Sequence, residues 1–180
     1  MGLAGSTPAE LRHEGFISLL GDDIERYELL QCTGNWFRDQ AEQAVEQVLR
    51  EHDDIAMILA QNDLMAIGAR QALDRLQPDR NVIIMGVDGL TGAGNGVEAI
   101  AEGRVDASAV YATGGDLIIQ TAVQILEGQP FERNTNLATY LIDAETAPLM
   151  NNIYKEVDHQ VETVHMLKSR VDYFWQQHNL

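Results

Sequence analysis

Short unbroken apolar runs alternate along the chain with stretches in which apolar residues recur every third or fourth position. The clearest junction of the two patterns is IAMILAQNDLMAIGARQA, residues 55–72. There the apolar run 55–60 stops at Gln61-Asn62-Asp63, and Leu64, Ile67 and Leu73 follow at roughly helical spacing, with Ala66, Gly68, Ala69 and Ala72 between them. Asp63 is the expected N-cap, its carboxylate accepting from the free N–H groups of the first turn. A buried strand therefore delivers an amide, Asn62, to its carboxyl end, and in open α/β sheets that rim is where ligands bind.

The same alternation runs through the rest of the chain. Met1 to Ser6 reads as the end of a strand and a Gly/Ser turn. Ser6 or Thr7 then caps a helix that carries Pro8 in its first turn, where the missing N–H costs nothing. Leu11, Phe16, Leu19 and Leu20 supply its apolar stripe, and Gly21-Asp22-Asp23 ends it. Residues 27–32 (YELLQC) predict a short strand, and 37–50 a helix with Ala41, Ala44, Val45, Val48 and Leu49 on one side. Residues 81–88 (NVIIMGVD) form a continuous apolar strand of the sort buried on both faces, ending in Asp88. A Gly-rich loop (89–96), a short helix (97–101), a strand at 107–111 (ASAVY), a helix at 115–126 and a last strand at 137–142 (LATYLI) complete the series. Strands and helices joined by short connections predict an α/β fold, doubly wound, with a mostly parallel sheet covered by helices on both faces.

After Asp143 the composition changes: residues 145–178 hold no Gly and only Pro148. Tyr154, Val157, Val161, Val164, Val171 and Trp175 share one heptad register, interrupted at Lys168, which predicts a long amphipathic helix with a coiled-coil-like seam. Two segments follow: residues 1–143, an α/β unit, and residues 144–180, a helix suited to dimerisation or signalling. A terminal helix folded back on its own domain is the competing reading.

Charge and cysteine content narrow the function. Twelve Lys and Arg against 28 Asp and Glu leave a net charge of −16, which weighs against nucleic acid and anionic membranes as partners and otherwise serves solubility. Cys32 is the only cysteine, so the chain holds neither an internal disulfide nor a Cys-based metal site. No apolar stretch reaches the roughly 18 residues of a membrane span, and the N-terminus lacks the basic-then-apolar pattern of a signal peptide. The five histidines show no metal spacing, no serine sits in a nucleophile elbow, and no cofactor motif is present. Gly92-x-Gly94-x-Gly96 lacks the Lys-Ser/Thr ending of a phosphate loop and reads as a flexible loop. A catalytic role is not expected.

Three pieces, GSTPAELRHEGF, AQNDLMAIGARQAL and NVIIMGVDGLTGAGNGVEAIAEGRVDASAVY, together resemble the second half of a type 1 periplasmic sugar-binding protein of the ribose/galactose kind, the fold also used by LacI-type effector domains. The resemblance spans residues 2–143 and implies a periplasmic binding protein-like domain whose two lobes close over a monosaccharide. By position it implies that Arg12 hydrogen-bonds sugar hydroxyls, that Trp36 stacks on the sugar face, and that Asn62 and Asp88 bind from the two strand ends. Tyr111 falls where the family often places a polar side chain at the lobe crossover. The chemistry agrees: Asp, Asn and Arg supply paired acceptors and donors, and an aromatic ring supplies an apolar plate for C–H groups. Each residue also has a plainer reading. Arg12 pairs with Glu10 or Glu14, Trp36 covers its helix, and Asn62 is a turn residue.

The resemblance further implies that a first lobe, together with the helix and central strand leading into Met1, is missing from this chain, and that residues 113–142 cross toward that lobe. The isolated polypeptide is then expected to lack half of its sugar site, expose apolar sheet edges and depend on oligomerisation or its missing half. The sequence VETVHMLKSRVDYFWQQHNL resembles the helix that leads from such sensor domains toward the membrane in hybrid two-component histidine kinases. That implies a periplasmic carbohydrate sensor, with a homodimer formed through the helix and any membrane contact made by a downstream segment. A sugar-binding protein of an ABC transporter and a LacI-type effector domain are the alternatives.

Overall fold

The computed structural model of the protein describes residues 1–152. In chain order the elements are α1 (Thr7–Leu20), a 3-10 helix (Gly21–Arg26), α2 (Arg38–Glu51), β1 (Met57–Leu59), α3 (Asp63–Leu76), β2 (Ile83–Asp88), α4 (Gly96–Ala101), β3 (Ala107–Val110), α5 (Gly115–Leu126) and β4 (Leu141–Asp143). The four strands form one sheet in the order β1-β2-β3-β4. β1 pairs parallel with β2, and β2 with β3, in the register Met57↔Ile83 and Met85↔Ala107; β4 closes the sheet antiparallel to β3 through Ser108↔Ile142. The α/β class and the mostly parallel sheet expected from the alternating pattern are both present.

The core sits where α3 and α4 lie on the sheet and α2 packs outside α3. Small residues make the close approach possible: a Cβ on Gly68 of α3 would stand 2.2 Å from the backbone oxygen of Arg38 in α2. Met65, Ile67, Leu73, Ile84, Val97, Ile100 and Ile142 fill the space between these layers and are almost wholly buried. Burial of side chains this size is worth about 1.5–3 kcal/mol each, and it holds strand ends and helix starts in fixed relation.

Four local expectations fail. Residues 27–32 pair with no strand among the described residues, because a strand exists only where a neighbour completes its ladder. The run at 81–88 is not buried on both faces: Val82, Ile84 and Gly86 are buried while Ile83, between them, is 50% exposed. Helices of the core lie against one face of the strand, so an unbroken apolar run alternates in burial. α1 buries only Ala9, and Leu11 and Leu19 of its expected stripe are exposed. Finally, Asn62, not Asp63, caps α3.

The strand at 137–142 is shorter and shifted, as β4. α5 forms as expected, though none of its residues is buried and Ile118, Ile119 and Leu126 face outward. Residues 147–152 are helical, with Ala147 buried against the core; they begin the expected tail, whose remainder lies outside the described residues. Among the described residues no helix is long and apolar enough to cross a membrane.

Candidate functional site

The carboxyl ends of the parallel strands bring the five expected residues to one rim. Asp88 ends β2, Tyr111 follows β3 and Asn62 lies just past β1. Arg12 reaches across from α1. Its Nη1 donates to the Gln61 carbonyl, and its Nη2 donates to Asp88 Oδ1 at 3.2 Å. The Arg12 guanidinium carbon also lies 5.6 Å from the centroid of the Trp36 ring and 5.1 Å from that of Tyr111, both within cation–π range. Arg12 is thus the hub, with one carboxylate and two aromatic rings around it. It makes no ion pair with Glu10 or Glu14 among the described residues.

Local backbone geometry aims these groups. Asn35 and Trp36 both have positive φ, 51° and 71°, which turns the chain sharply before α2 and swings the indole toward the rim. The indole lies against Gly2, where a Cβ would stand 2.2 Å from Trp36 Cη2, so only glycine admits the ring. Asp88 has φ of 120°, a conformation that L-residues rarely adopt. Tyr111 is tied to it by its N–H, which donates to the Asp88 carbonyl at 3.1 Å.

Asn62 plays a double part. Its Oδ1 accepts from the Met65 N–H at 2.8 Å as the α3 N-cap, and its Nδ2 donates to the Trp36 carbonyl at 3.1 Å. The residue is buried, so its amide links the Trp36 turn to the head of α3. Asp63 is instead the first helical residue, 1% exposed. Its Oδ1 accepts from the Ser108 hydroxyl and its Oδ2 from the Leu90 N–H at 3.0 Å. Sequence reasoning also passed over Gln61, which stands beside Asn62 in the QND tripeptide. Its Oε1 accepts from the Gly2 N–H at 2.7 Å, its Nε2 donates to the Ala9 carbonyl at 2.9 Å, and its own carbonyl receives Arg12. A buried glutamine has no periodic signature, which is why only its position at the strand end marked it.

Two carboxylates stand close to the rim, and burial pushes both upward from the ordinary range. For Asp88, burial outweighs the Arg12 charge and hydrogen bond that pull the other way. For Asp63, burial and the nearby Asp88 charge outweigh the hydrogen bonds from Ser108 and Leu90. The rim presents one cation, one carboxylate with its second oxygen free of described partners, and two aromatic faces. Such a set suits an uncharged polyhydroxyl ligand: vicinal hydroxyls bridge guanidinium and carboxylate while C–H groups lie on a ring.

The sequence matches the model of the periplasmic binding protein domain over residues 1–130. The chain belongs to that family. Among curated proteins it is 31% identical over 134 residues to the ribose import binding protein of Haemophilus influenzae, covering 73% of this chain and 44% of that one. Among solved structures it is similar to the fructose-binding periplasmic domain of a hybrid two-component system, with TM-score 0.83 and 33% identity, over 94% of this chain and 56% of that one. It is also similar to an ABC transporter solute-binding protein from Bacillus halodurans with bound myo-inositol, with TM-score 0.70 and 25% identity, over 84% and 52%. The chain spans about half the length of the relatives it matches. The family resemblance drawn from the three motifs is therefore established, and with it the fold.

Proposed function

We propose that this chain forms one wall of a sugar-binding cleft in the extracytoplasmic domain of a two-component sensor histidine kinase. The observation that carries the reading is the Arg12–Asp88 pair flanked by Trp36 and Tyr111 at the carboxyl rim of the sheet. Likeness to the fructose-binding domain of a hybrid two-component system supports the sensor role, and the ribose import binding protein supports the sugar. In this reading Arg12, Asp88 and Asn62 meet hydroxyl groups, Trp36 and Tyr111 meet the sugar's apolar face, and the chain binds without catalysing. Kinase activity belongs to a separate segment.

Ligand binding closes the cleft, and the heptad register of residues 154–175 joins two copies and passes the change onward. Calorimetry of the complete sugar-binding domain, with both walls of the cleft, against D-fructose, D-ribose and myo-inositol tests the site. Binding of at least one, weakened tenfold or more (about 1.4 kcal/mol) in both Asp88→Ala and Trp36→Ala, is expected. Unchanged affinity in both variants would refute the assignment. Sedimentation of the protein as a monomer would refute the dimer.

The second reading, delivery of sugar to an ABC transporter, is favoured by the identity to import binding proteins. Reading the gene past Leu180 separates the two: a membrane span and kinase domain, or a stop codon.

A further inference from the structure

Asp88 holds an unfavourable backbone conformation, and something must hold it there. The two residues after it answer the question. The Gly89 N–H donates to Ser108 Oγ at 3.1 Å, and the Leu90 N–H donates to Asp63 Oδ2 at 3.0 Å. The Ser108 hydroxyl in turn donates to Asp63 Oδ1. A relay therefore runs from the first residue of α3, through the middle of β3, to the two backbone N–H groups that follow Asp88.

The relay sits in a chamber that only glycines leave open. A Cβ on Gly86 of β2 would stand 2.4 Å from Asp63 Oδ1, and one on Gly96 of α4 would stand 2.1 Å from Oδ2. Both oxygens are thus lodged between β2 and α4. Ser108 is 0% exposed and Asp63 1%, so neither side chain reaches the rim to touch a ligand. Burying a carboxylate is costly, and the burial that pushes the Asp63 carboxyl upward is the mark of that cost. As the first helical residue of α3, Asp63 gains from the helix dipole. An exposed carboxylate would gain as much without desolvation.

We propose that Asp63 and Ser108 are positioning residues that clamp the Gly89-Leu90 backbone and so fix Asp88 in its ligand-facing, positive-φ conformation. The proposal rests on the reading of Asp88 as a ligand contact, but the clamp itself is a property of the chain alone. It explains why a buried acid and a buried serine converge on a loop, where an apolar pair would leave the Gly89 and Leu90 N–H groups without these partners. It also ties the rim together: the carbonyl of the clamped Asp88 receives the Tyr111 N–H, and its carboxylate receives Arg12.

The test uses Ser108→Ala, which removes one atom, and the isosteric Asp63→Asn as the second variant. Three quantities are read by NMR and calorimetry on the whole protein. These are amide hydrogen exchange at Gly89 and Leu90, the titration midpoint of the Asp88 carboxyl, and affinity for D-fructose. In Ser108→Ala, exchange at Gly89 and Leu90 is expected to rise at least tenfold while amides in the core of α3, such as Leu73, change less than threefold. The Asp88 midpoint moves, and D-fructose binding weakens about tenfold. Asp63→Asn reproduces the pattern more weakly, because the amide oxygen still accepts one bond.

A general rise in exchange at Leu73 as large as that at Gly89 would show a merely structural pair and overturn the proposal. So would an Asp88 midpoint that stays in place in both variants. If the unaltered protein binds no D-fructose, the sugar reading suffers, and the exchange and titration results still decide the clamp.

Discussion

Arg12→Met isolates the electrostatic part of the rim, because methionine keeps an unbranched apolar stem and discards the cation. Three contributions are lost. The charge-assisted bond to the Gln61 carbonyl is worth about 1.5–3 kcal/mol. The ion pair with Asp88 joins side chains 19% and 24% exposed, so it lies above the roughly 0–1 kcal/mol of a surface pair. Each cation–π contact adds about 0.5–1 kcal/mol. Against these stand the desolvation of Arg12, which the variant recovers, and the non-additivity of groups sharing one partner. A net loss of about 2 kcal/mol at pH 7 is the expected balance.

The loss should depend on pH, and the direction follows from Asp88. Burial already raises its carboxyl above the ordinary 3.8, with Arg12 the counterweight; without Arg12 the midpoint climbs further. Well below pH 3.8 Asp88 is protonated in both proteins and in both states, so there only the Gln61 bond and the aromatic contacts separate the variant from the unaltered protein. As pH rises through the raised midpoints, the ionised Asp88 loses its partner in the variant alone, and the difference in stability widens. Urea unfolding at pH 3.5 and pH 7 reads it. With a slope of about 2 kcal/mol per molar, the pH 7 midpoint should fall by about 1 M, and the pH 3.5 midpoint by less. Equal shifts at the two pH values, or an Asp88 titration identical in both proteins, would refute the pairing.

Other substitutions probe the frame behind the rim. Asn62→Ala removes the α3 N-cap and the bond to the Trp36 carbonyl, and thermal unfolding should report a loss of about 1–2 kcal/mol. Leu73→Ala empties a site with 0% exposure between α3 and the sheet, for about 2–5 kcal/mol in a denaturant melt. Gly96→Ala places a methyl 2.1 Å from Asp63 Oδ2 and should cost more than 1 kcal/mol, whereas Gly15→Ala, with nothing within 4 Å in a helix, should stabilise by up to about 1 kcal/mol. In the unaltered protein Asp63 and Asp88 both have folded midpoints above 3.8, so the native state binds more protons there. Their joint contribution should therefore fall as pH rises from 3.8 through those midpoints; Asp63→Asn should flatten that slope in urea melts.

The junctions were the legible part. Gln61-Asn62-Asp63 after an apolar run located β1, α3 and the rim between them, and NVIIMGVD located β2 with Asp88 at its end. Strand ends and helix starts are written in composition because periodicity changes there. Roles within a junction were less legible. Asn62 and Asp63 are both good caps by residue type, and which one caps depends on which side chain the core has room for. Gly86 and Gly96 make that room for Asp63, and they come from β2 and α4, well removed in sequence. The strand expected at 27–32 failed for the same kind of reason: its β-forming residues are real, but pairing needs a neighbour that its own sequence does not name.

By itself, then, the order of residues pointed to the α/β class, the family and the ends of β1 and β2, and through the family resemblance it named the five residues found at the rim. Those properties rest on local periodicity and on short motifs, which involve residues near one another in the chain. Only the tertiary structure decided that Arg12 is the hub of the rim, that the Asn62 amide also caps α3 and holds the Trp36 turn, and that a buried Asp63–Ser108 pair stands behind Asp88. Arg12 and Asp88 are far apart in sequence, as are Asp63 and Ser108, and neither partner carries a mark of the other. Their meeting follows from parallel strands that bring every carboxyl end to the same side. That geometry arises only when the sheet is assembled.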